Sequence, residues 1–271
     1  MTESLRRGTS ALVIARAIRS QIESGRMTHG DQIPSTRDLA TEWNTSVATI
    51  NRAMGILSDE GIVENRPRVG RLVNYPQQAG DQVAPKVVLI GGYAGSGKTE
   101  LGRILARSTR WPILDKDTTT RPVVERALDV LGQSPSDRDS QVYLDVIRPG
   151  EYEALLATMT ENVTCGLSVI ITAPFVRELA DQAWCDRLAA RVDDLGAELH
   201  AVWVRCAPDS MHTYLRHRGA ARDSWKLAHW SEYLATIDID FAPRLPHTVI
   251  ENSVDSPPLQ QQAMSLVAAI R

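Results

Sequence analysis

The sequence predicts an α/β chain in two parts: a small helical unit closed by a β-hairpin, then a parallel sheet covered by helices on both faces. Three observations lead there. A strand at 86–91, apolar and β-branched at Val87, Val88, Leu89 and Ile90, opens into a glycine-rich loop and a helix. Beyond it, strand and helix patterns alternate to the end of the chain. Before it, helical periodicities with serine starts give way to two short β runs around Arg66-Pro67-Arg68-Val69-Gly70. With 271 residues there is room for both units, and the polar segment from Tyr75 to Pro85 reads as a linker. The expected boundaries are 1–76, 77–85 and 86–271.

Composition removes several classes of function. No apolar run approaches the roughly 18 residues of a membrane span, and the N-terminus lacks the apolar stretch of a signal peptide, so a cytoplasmic protein with no membrane partner is expected. Cys165, Cys185 and Cys206 lie far apart, with none of the close pairs a zinc site usually shows, and suit a reducing compartment. Residues 1–76 carry ten arginines and no lysine against eight carboxylates, whereas the rest of the chain is net acidic. That imbalance is small, and where the arginines fall says more than their number.

The first helix, Ala11 to Ser24, sets Leu12, Ala15, Ile18 and Ile22 on one face. Ser35 caps a short second helix reaching about Trp43, with Asp38 three residues on. Ser46 caps a third carrying Ile50, Ala53, Met54 and Leu57, ended by Gly61. Ile62–Asn65 and Arg71–Asn74 then read as the two strands of a wing. This order defines a winged helix-turn-helix, whose third helix enters the major groove by its N-terminus while the wing reaches an adjacent groove.

The residues Gly30-Asp-Gln-Ile-Pro-Ser35, Arg37-Asp38-Leu39-Ala40, Ala48-Thr49-Ile50-Asn51-Arg52-Ala53, Gly61-Ile-Val-Glu64 and Arg66-Pro67 carry a resemblance to the DNA-binding domain of the GntR family of bacterial regulators. The resemblance implies double-stranded operator DNA as partner, a homodimer or higher homo-oligomer, and DNA-facing positions at Ser35, Arg37, Ser46, Val47, Thr49, Asn51, Arg52, Arg68, Gly70 and Arg71. Val47 and Asn51 stand where the family often has arginine. A valine can meet a thymine methyl and an asparagine can pair with adenine, so an operator different from the common one is expected. A winged helix used for protein contacts is the alternative.

In the second unit, Gly92-Tyr93-Ala94-Gly95-Ser96-Gly97-Lys98-Thr99 satisfies G-x-x-x-x-G-K-[ST]. Such a loop aims backbone N–H groups at phosphate oxygens and sets them on a helix N-terminus. Gly92, Ala94, Gly95, Ser96, Gly97, Lys98 and Thr99 are therefore candidates for binding ATP, with Thr99 and Asp117 candidates for Mg²⁺. The second strand, Pro112 to Leu114, leads into Asp115-Lys116-Asp117, where carboxylates can take a proton from an acceptor hydroxyl or hold Mg²⁺ through water. A helix cap is the plainer reading of the same residues. The third strand of the unit ends in Thr172, where many P-loop proteins have an acid, which argues against a motor-type ATPase.

Helices are expected over 99–109, from about Val123 to Leu131, over 140–163, over 176–195, from Pro208 and after Pro257-Pro258, with strands at Leu167–Thr172, Glu198–Cys206 and His247–Glu251. Arg216, Arg218 and Arg222, broken by Gly219, have the density of a lid that clamps a triphosphate, or of a solvated helix face. Together these motifs resemble the small P-loop kinases that include zeta toxins and chloramphenicol phosphotransferase. The resemblance implies catalytic roles for Asp117, Asp115, Arg218 and Arg222, and places the stretch Val249–Ser253 near the adenine. The expected protein is a transcription regulator using ATP–Mg²⁺ as effector, with a small-molecule effector or acceptor. The alternative is an active small-molecule kinase that also regulates its own operon.

Overall fold

Three serines start the three helices of the N-terminal unit in the computed structural model, which describes residues 10–75 and 83–270. Ser10, Ser35 and Ser46 stand at the N-caps of α1 (Ala11–Glu23), α2 (Thr36–Glu42) and α3 (Val47–Asp59), and each hydroxyl accepts from an amide three residues on. α1 turns Ile14, Ala15, Ile18 and Ile22 inward and α3 turns Ile50, Ala53, Met54 and Leu57 inward, so both share one core with Leu39 of α2. Each large side chain buried there contributes about 1.5–3 kcal/mol.

β1 (Val63–Arg66) and β2 (Gly70–Val73) pair antiparallel from Val63–Val73 to Arg66–Gly70. The paired segment lies one residue nearer the turn than the alternation suggests. The turn is the reason: Arg68 takes a φ of 70° and Gly70 a φ of 111°, which lets the chain reverse within Pro67–Val69. Gln32 bridges to Leu72, and its amide donates to the Val69 carbonyl at 2.7 Å, tying the loop before α2 to the hairpin.

The chain divides at Val83 and Ala84 into two units. In the second, β3 (Lys86–Gly91) is buried along its whole length. It is the middle strand of a five-stranded parallel sheet ordered β4-β5-β3-β6-β7, with β4 at Ile113–Asp115, β5 at Val169–Thr172, β6 at Glu198–Arg205 and β7 at His247–Glu251. Alternation assigns the two faces. Val87 and Leu89 pack with Leu155 and Met159 of α6 (Arg148–Thr164) and Leu188 of α8 (Gln182–Asp194). Val88 and Ile90 pack with Leu101 and Leu105 of α4 (Lys98–Thr109) and with Leu266 and Val267 of α12 (Leu259–Ile270). All strands run the same way, so their carboxyl ends share one edge, where the loops converge.

Three helical stretches depart from their expected bounds. α5 (Lys116–Val130) starts directly after β4 and not near Val123. Asp115 caps it, accepting from the Thr118 amide at 2.9 Å. Three threonines and Pro122 obscured this helix, because β-branched residues and proline both count against helix by propensity. The stretch expected over 140–163 is a π-helical turn, Tyr143–Ile147, running into α6. The stretch expected over 176–195 breaks at Asp181 into α7 (Val176–Ala180) and α8, since the Asp181 carboxylate accepts from the Ala183 amide and starts a new helix. α9 (Pro208–Arg218), a 3-10 turn at Ala221–Asp223, α10 (Ser224–Ala228) and α11 (Trp230–Ala235) lead back to β7. Among the described residues, no helix is long and apolar enough to cross a membrane.

Candidate functional site

The loop between β3 and α4 has no room for side chains where the glycines lie. At Gly97 (φ 95°) a Cβ would come within 2.2 Å of Asn252 Nδ2, and at Gly95 (φ 82°) within 2.8 Å of the Met211 carbonyl. Asn252 Nδ2 donates to the Ser96 carbonyl at 2.9 Å, so the end of β7 holds the loop from across the sheet. The Ser96 hydroxyl is buried and meets no partner among the described residues. That hydroxyl faces a separate small cavity with Trp203, Cys206 and Met211, so it takes no part in the clefts beside the loop. The cradle itself, glycines at positive φ that no Cβ could replace on a loop leading into a helix N-terminus, is what a phosphate needs, so the residues present fit a nucleoside triphosphate. Lys98 begins α4, and its Nζ donates to the Tyr93 carbonyl at 3.2 Å, folding the side chain back over the loop.

Asp115 ties three elements together. Its Oδ2 accepts from Thr99 at 3.0 Å and from Thr172 at 2.7 Å, while Oδ1 accepts from the Thr118 amide and hydroxyl. Thr172 is fully buried at the end of β5. The carboxylate beside the P-loop threonine thus comes from the end of β4, and the β5 position usually acidic in such sites supplies the hydroxyl that fixes it. These oxygens, Thr99 Oγ1 and the Asp115 carboxylate, are the hard donors a Mg²⁺ ion takes, directly or through water.

Two clefts adjoin this loop. One, of about 440 Å³, is lined by Gly97, Thr99, Tyr214, His217, Asn252 and Leu259. Of the stretch expected near an adenine, Asn252 is the residue that reaches it. The other, of about 240 Å³, is lined by Asp117, Lys116, Tyr143, Arg148 and Tyr233 among others. Lys98 and Arg218 face both clefts. Arg218, at the end of α9, donates twice to the buried Asp223 carboxylate, at 2.9 and 2.6 Å. The side chain of Arg222 lies outside the described residues.

The wall of the smaller cleft contains groups that sequence reasoning missed. Lys116 Nζ lies 3.1 Å from Asp117 Oδ1 and 2.8 Å from Glu151 Oε1. Glu151, almost wholly buried, also accepts from Thr120 at 2.6 Å and from the Tyr143 hydroxyl at 2.7 Å. Burial, then the hydrogen bond to Glu151, push the Tyr143 phenol well above its ordinary range, so it stays a donor. Burial would lower the Arg148 guanidinium, but the Glu178 carboxylate at 2.6 Å outweighs it and the group is raised. The only local signal for this wall is a π-helical turn, a feature that gathers at functional sites, and it is not visible in residue types.

In the N-terminal unit, Arg37, Ser46, Val47, Asn51, Arg52, Arg68 and Gly70 are exposed. The hydroxyls of Ser35 and Ser46 serve as caps, and Ser46 Oγ and Thr49 Oγ1 lie 2.9 Å apart. Arg71 is half-buried and donates to Thr36 Oγ1 at 2.8 Å and to Asn51 Oδ1 at 3.0 Å. One side chain of β2 thereby joins the start of α2 to α3. Between α2 and the hairpin lies an open groove of about 640 Å³ lined by Gln32, Ser35, Thr36, Arg66, Arg68 and Arg71.

Fold and site together define a helix-turn-helix unit with a wing on one chain with a kinase-like P-loop α/β unit. Comparison with known proteins agrees: residues 11–73 match the model of bacterial regulatory proteins of the gntR family, and residues 87–238 match that of an AAA domain. By the latter, which spans more than half of it, the chain belongs to the AAA-domain family. A kinase-like protein from Chloroflexus aurantiacus superposes with a TM-score of 0.50 at 19% identity, over 68% of this chain and 98% of that one. A gluconokinase from Sinorhizobium meliloti gives 0.43 at 16% identity, over 69% and 91%. YtrA of Sulfolobus acidocaldarius, a GntR-family transcription factor, gives 0.24 at 26% identity, over 28% of this chain and 80% of that one. No curated protein matches the sequence.

Proposed function

We propose that this protein is a transcription regulator of the bacterial cytoplasm, a homodimer or higher homo-oligomer on double-stranded operator DNA, whose C-terminal unit binds ATP–Mg²⁺ as effector. The observation that carries the reading is the phosphate cradle, with glycines at 95 and 97 that no Cβ could replace and Lys98 opening α4, on the same chain as a gntR-type winged helix. Lys98 and the backbone amides of the loop, that of Ser96 included, hold the phosphates, Thr99 and Asp115 hold the metal, and Asn252 and His217 border the base. Coupling needs only that nucleotide prefer the DNA-competent state over the other, and preferences of about 1–3 kcal/mol shift affinity roughly 5- to 150-fold. The test is operator binding by the full chain to its own upstream DNA at one salt concentration, without nucleotide, with ATP–Mg²⁺ and with ADP. A shift of fivefold or more that disappears in Lys98→Ala is expected; equal affinity in all three states would sink the effector role.

On the DNA side, Arg71 acts as a brace. With Oδ1 accepting from Arg71, the Asn51 side chain is held in one orientation that presents its amide N–H groups to a base acceptor. Arg71→Ala should weaken operator binding about 10- to 100-fold, since hydrogen bonds to charged groups are worth about 1.5–3 kcal/mol. Its slope of affinity against salt should stay that of the wild type, whereas Arg68→Ala at the wing tip should reduce the slope by about one phosphate contact. Equal slopes for the two variants would remove the distinction.

Thr172 has a positioning role through Asp115. Thr172→Val keeps the shape and removes one donor to the carboxylate. The Mg²⁺ needed to half-saturate nucleotide binding should rise about two- to tenfold, as expected for losing about 0.5–1.5 kcal/mol. Binding of the metal-free nucleotide should stay the same. An unchanged Mg²⁺ titration would show that Asp115 needs no such support.

A second reading, an ATP-dependent phosphotransferase, is favoured by the smaller cleft sharing Lys98 and Arg218 with the nucleotide cleft. Bound ATP–Mg²⁺ would supply the phosphoryl group. Asp117 is then the base that takes the acceptor proton, and Lys98 and Arg218 oppose charge on the transferring group.

A further inference from the structure

We infer that the cleft beside Asp117 takes a compact, anionic hydroxy compound, its anion held between Arg138 and Lys226. This rests on the reading of the larger cleft as a nucleotide site and names the class of molecule that would lie next to it. Six cationic side chains face the smaller cleft: Lys98, Lys116, Arg138, Arg148, Arg218 and Lys226. Three of them answer carboxylates of the protein: Lys116 to Glu151, Arg148 to Glu178 and Arg218 to Asp223. Those pairs balance the wall itself and say little about a ligand. Lys98 belongs to the phosphate loop.

Arg138 and Lys226 are held differently. Among the described residues, neither forms an ion pair with a carboxylate. Each lies instead against a buried tyrosine, Arg138 at 5.2 Å from the Tyr143 ring and Lys226 at 5.7 Å from that of Tyr233. The third cation–ring contact among the described residues, Arg148 over Tyr152 at 4.4 Å, borders the same cleft. A ring face orients a cation with about 0.5–1 kcal/mol and adds no counter-charge. Arg138 Nη1 also donates to the carbonyls of Pro135 and Asp137, at 3.0 and 2.5 Å, which fixes the guanidinium further. Asp137, the acid next to Arg138 in sequence, has one carboxylate oxygen on the amides of Asp139 and Ser140, at 2.9 and 3.0 Å. Burial would raise its carboxyl, but these hydrogen bonds and then the charge of Arg138 lower it, without an ion pair between the two. Two oriented cations on separate segments, one before the π-helical turn and one on α10, therefore line the cleft without an ion-paired carboxylate and are open to an anion from outside.

Size and the remaining carboxylates narrow the class. About 240 Å³ is below the roughly 300–1,000 Å³ of common ligand pockets, which favours a compact molecule. A polyamine-like ligand would meet Arg138 and Lys226 with like charge, and a neutral polyol would leave both unused. Asp117 and Asp139 give hydroxyl groups their acceptors on the same wall. The anion is a phosphate monoester or a carboxylate, which offer the same oxygens to these cations.

The test uses the full chain saturated with AMP-PNP and Mg²⁺, titrated calorimetrically with glycerol 3-phosphate, glycerate and glycerol, beside an Arg138→Gln/Lys226→Met double variant. At least one anion should bind ten times more tightly than glycerol, and the double variant should lose that preference at least tenfold. Its AMP-PNP affinity should equal that of the wild type, which also reports that it is folded. The ratio of glycerol 3-phosphate to glycerate identifies the preferred anion. No preference for either anion over glycerol, or the same preference in the double variant, overturns the inference. Should AMP-PNP fail to bind while an anion still binds through Arg138 and Lys226, the nucleotide reading falls and this one stands.

Discussion

A Lys98→Ala chain should keep its fold and lose ATP–Mg²⁺ affinity by a hundredfold or more. Lys98 is half-buried at the first position of α4, faces both clefts and reaches back over the loop to the Tyr93 carbonyl. There its ammonium can donate to two phosphate oxygens, and two hydrogen bonds of about 1.5–3 kcal/mol each amount to a hundredfold or more. The helix itself does not depend on this side chain, because its N-cap is Gly97 and its packing face is Leu101 and Leu105. Calorimetry with AMP-PNP–Mg²⁺ measures the loss. Operator binding without nucleotide is the control and should match the wild type. An affinity within threefold of the wild type would mean that the loop does not hold a triphosphate through Lys98.

Asp117→Asn should lower ATP turnover by about 10²–10⁴, the usual contribution of a positioned general base. The relevant rate is basal hydrolysis, with water in the acceptor cleft. Asparagine keeps the size of the side chain but cannot take a proton. Lys116 retains its 2.8 Å pairing with Glu151, so the buried wall should survive the change. Nucleotide affinity should move by no more than about twofold, since Asp117 lines the smaller cleft and not the larger. Equal hydrolysis rates for variant and wild type would remove Asp117 as the base. A wild type without turnover, with nucleotide still shifting operator affinity, would leave the domain as a sensor alone.

Much of this architecture is legible in short stretches of sequence. Serines at 10, 35 and 46 each cap within three residues, so a local pattern suffices to mark the helix starts. The run 87–90 is apolar at every position, as a strand covered on both faces has to be, and the G-x-x-x-x-G-K-T loop follows it after Gly91, the last residue of the strand. Where local signals conflicted, reading failed. Thr118–Thr120 and Pro122 spoke against a helix that the Asp115 cap and the packing of Val124 and Leu128 nevertheless impose.

The sequence by itself determined the class: a winged helix ahead of a phosphate-binding α/β unit, because caps, alternation and glycine spacing act over a few residues. Only the tertiary structure decided the partnerships. Thr172 meets Asp115 across 57 residues, Asn252 meets the Ser96 carbonyl across 156, and Arg71 spans α2 and α3. Glu151 looks like any exposed helical glutamate until packing buries it among Lys116, Thr120 and Tyr143. Such contacts follow from which strands are neighbours and which helix faces turn inward, and no local periodicity encodes them. The placing of Arg138 and Lys226 against buried tyrosines, without an ion pair, is of the same kind, since a cation's partners are settled only once its surroundings are assembled.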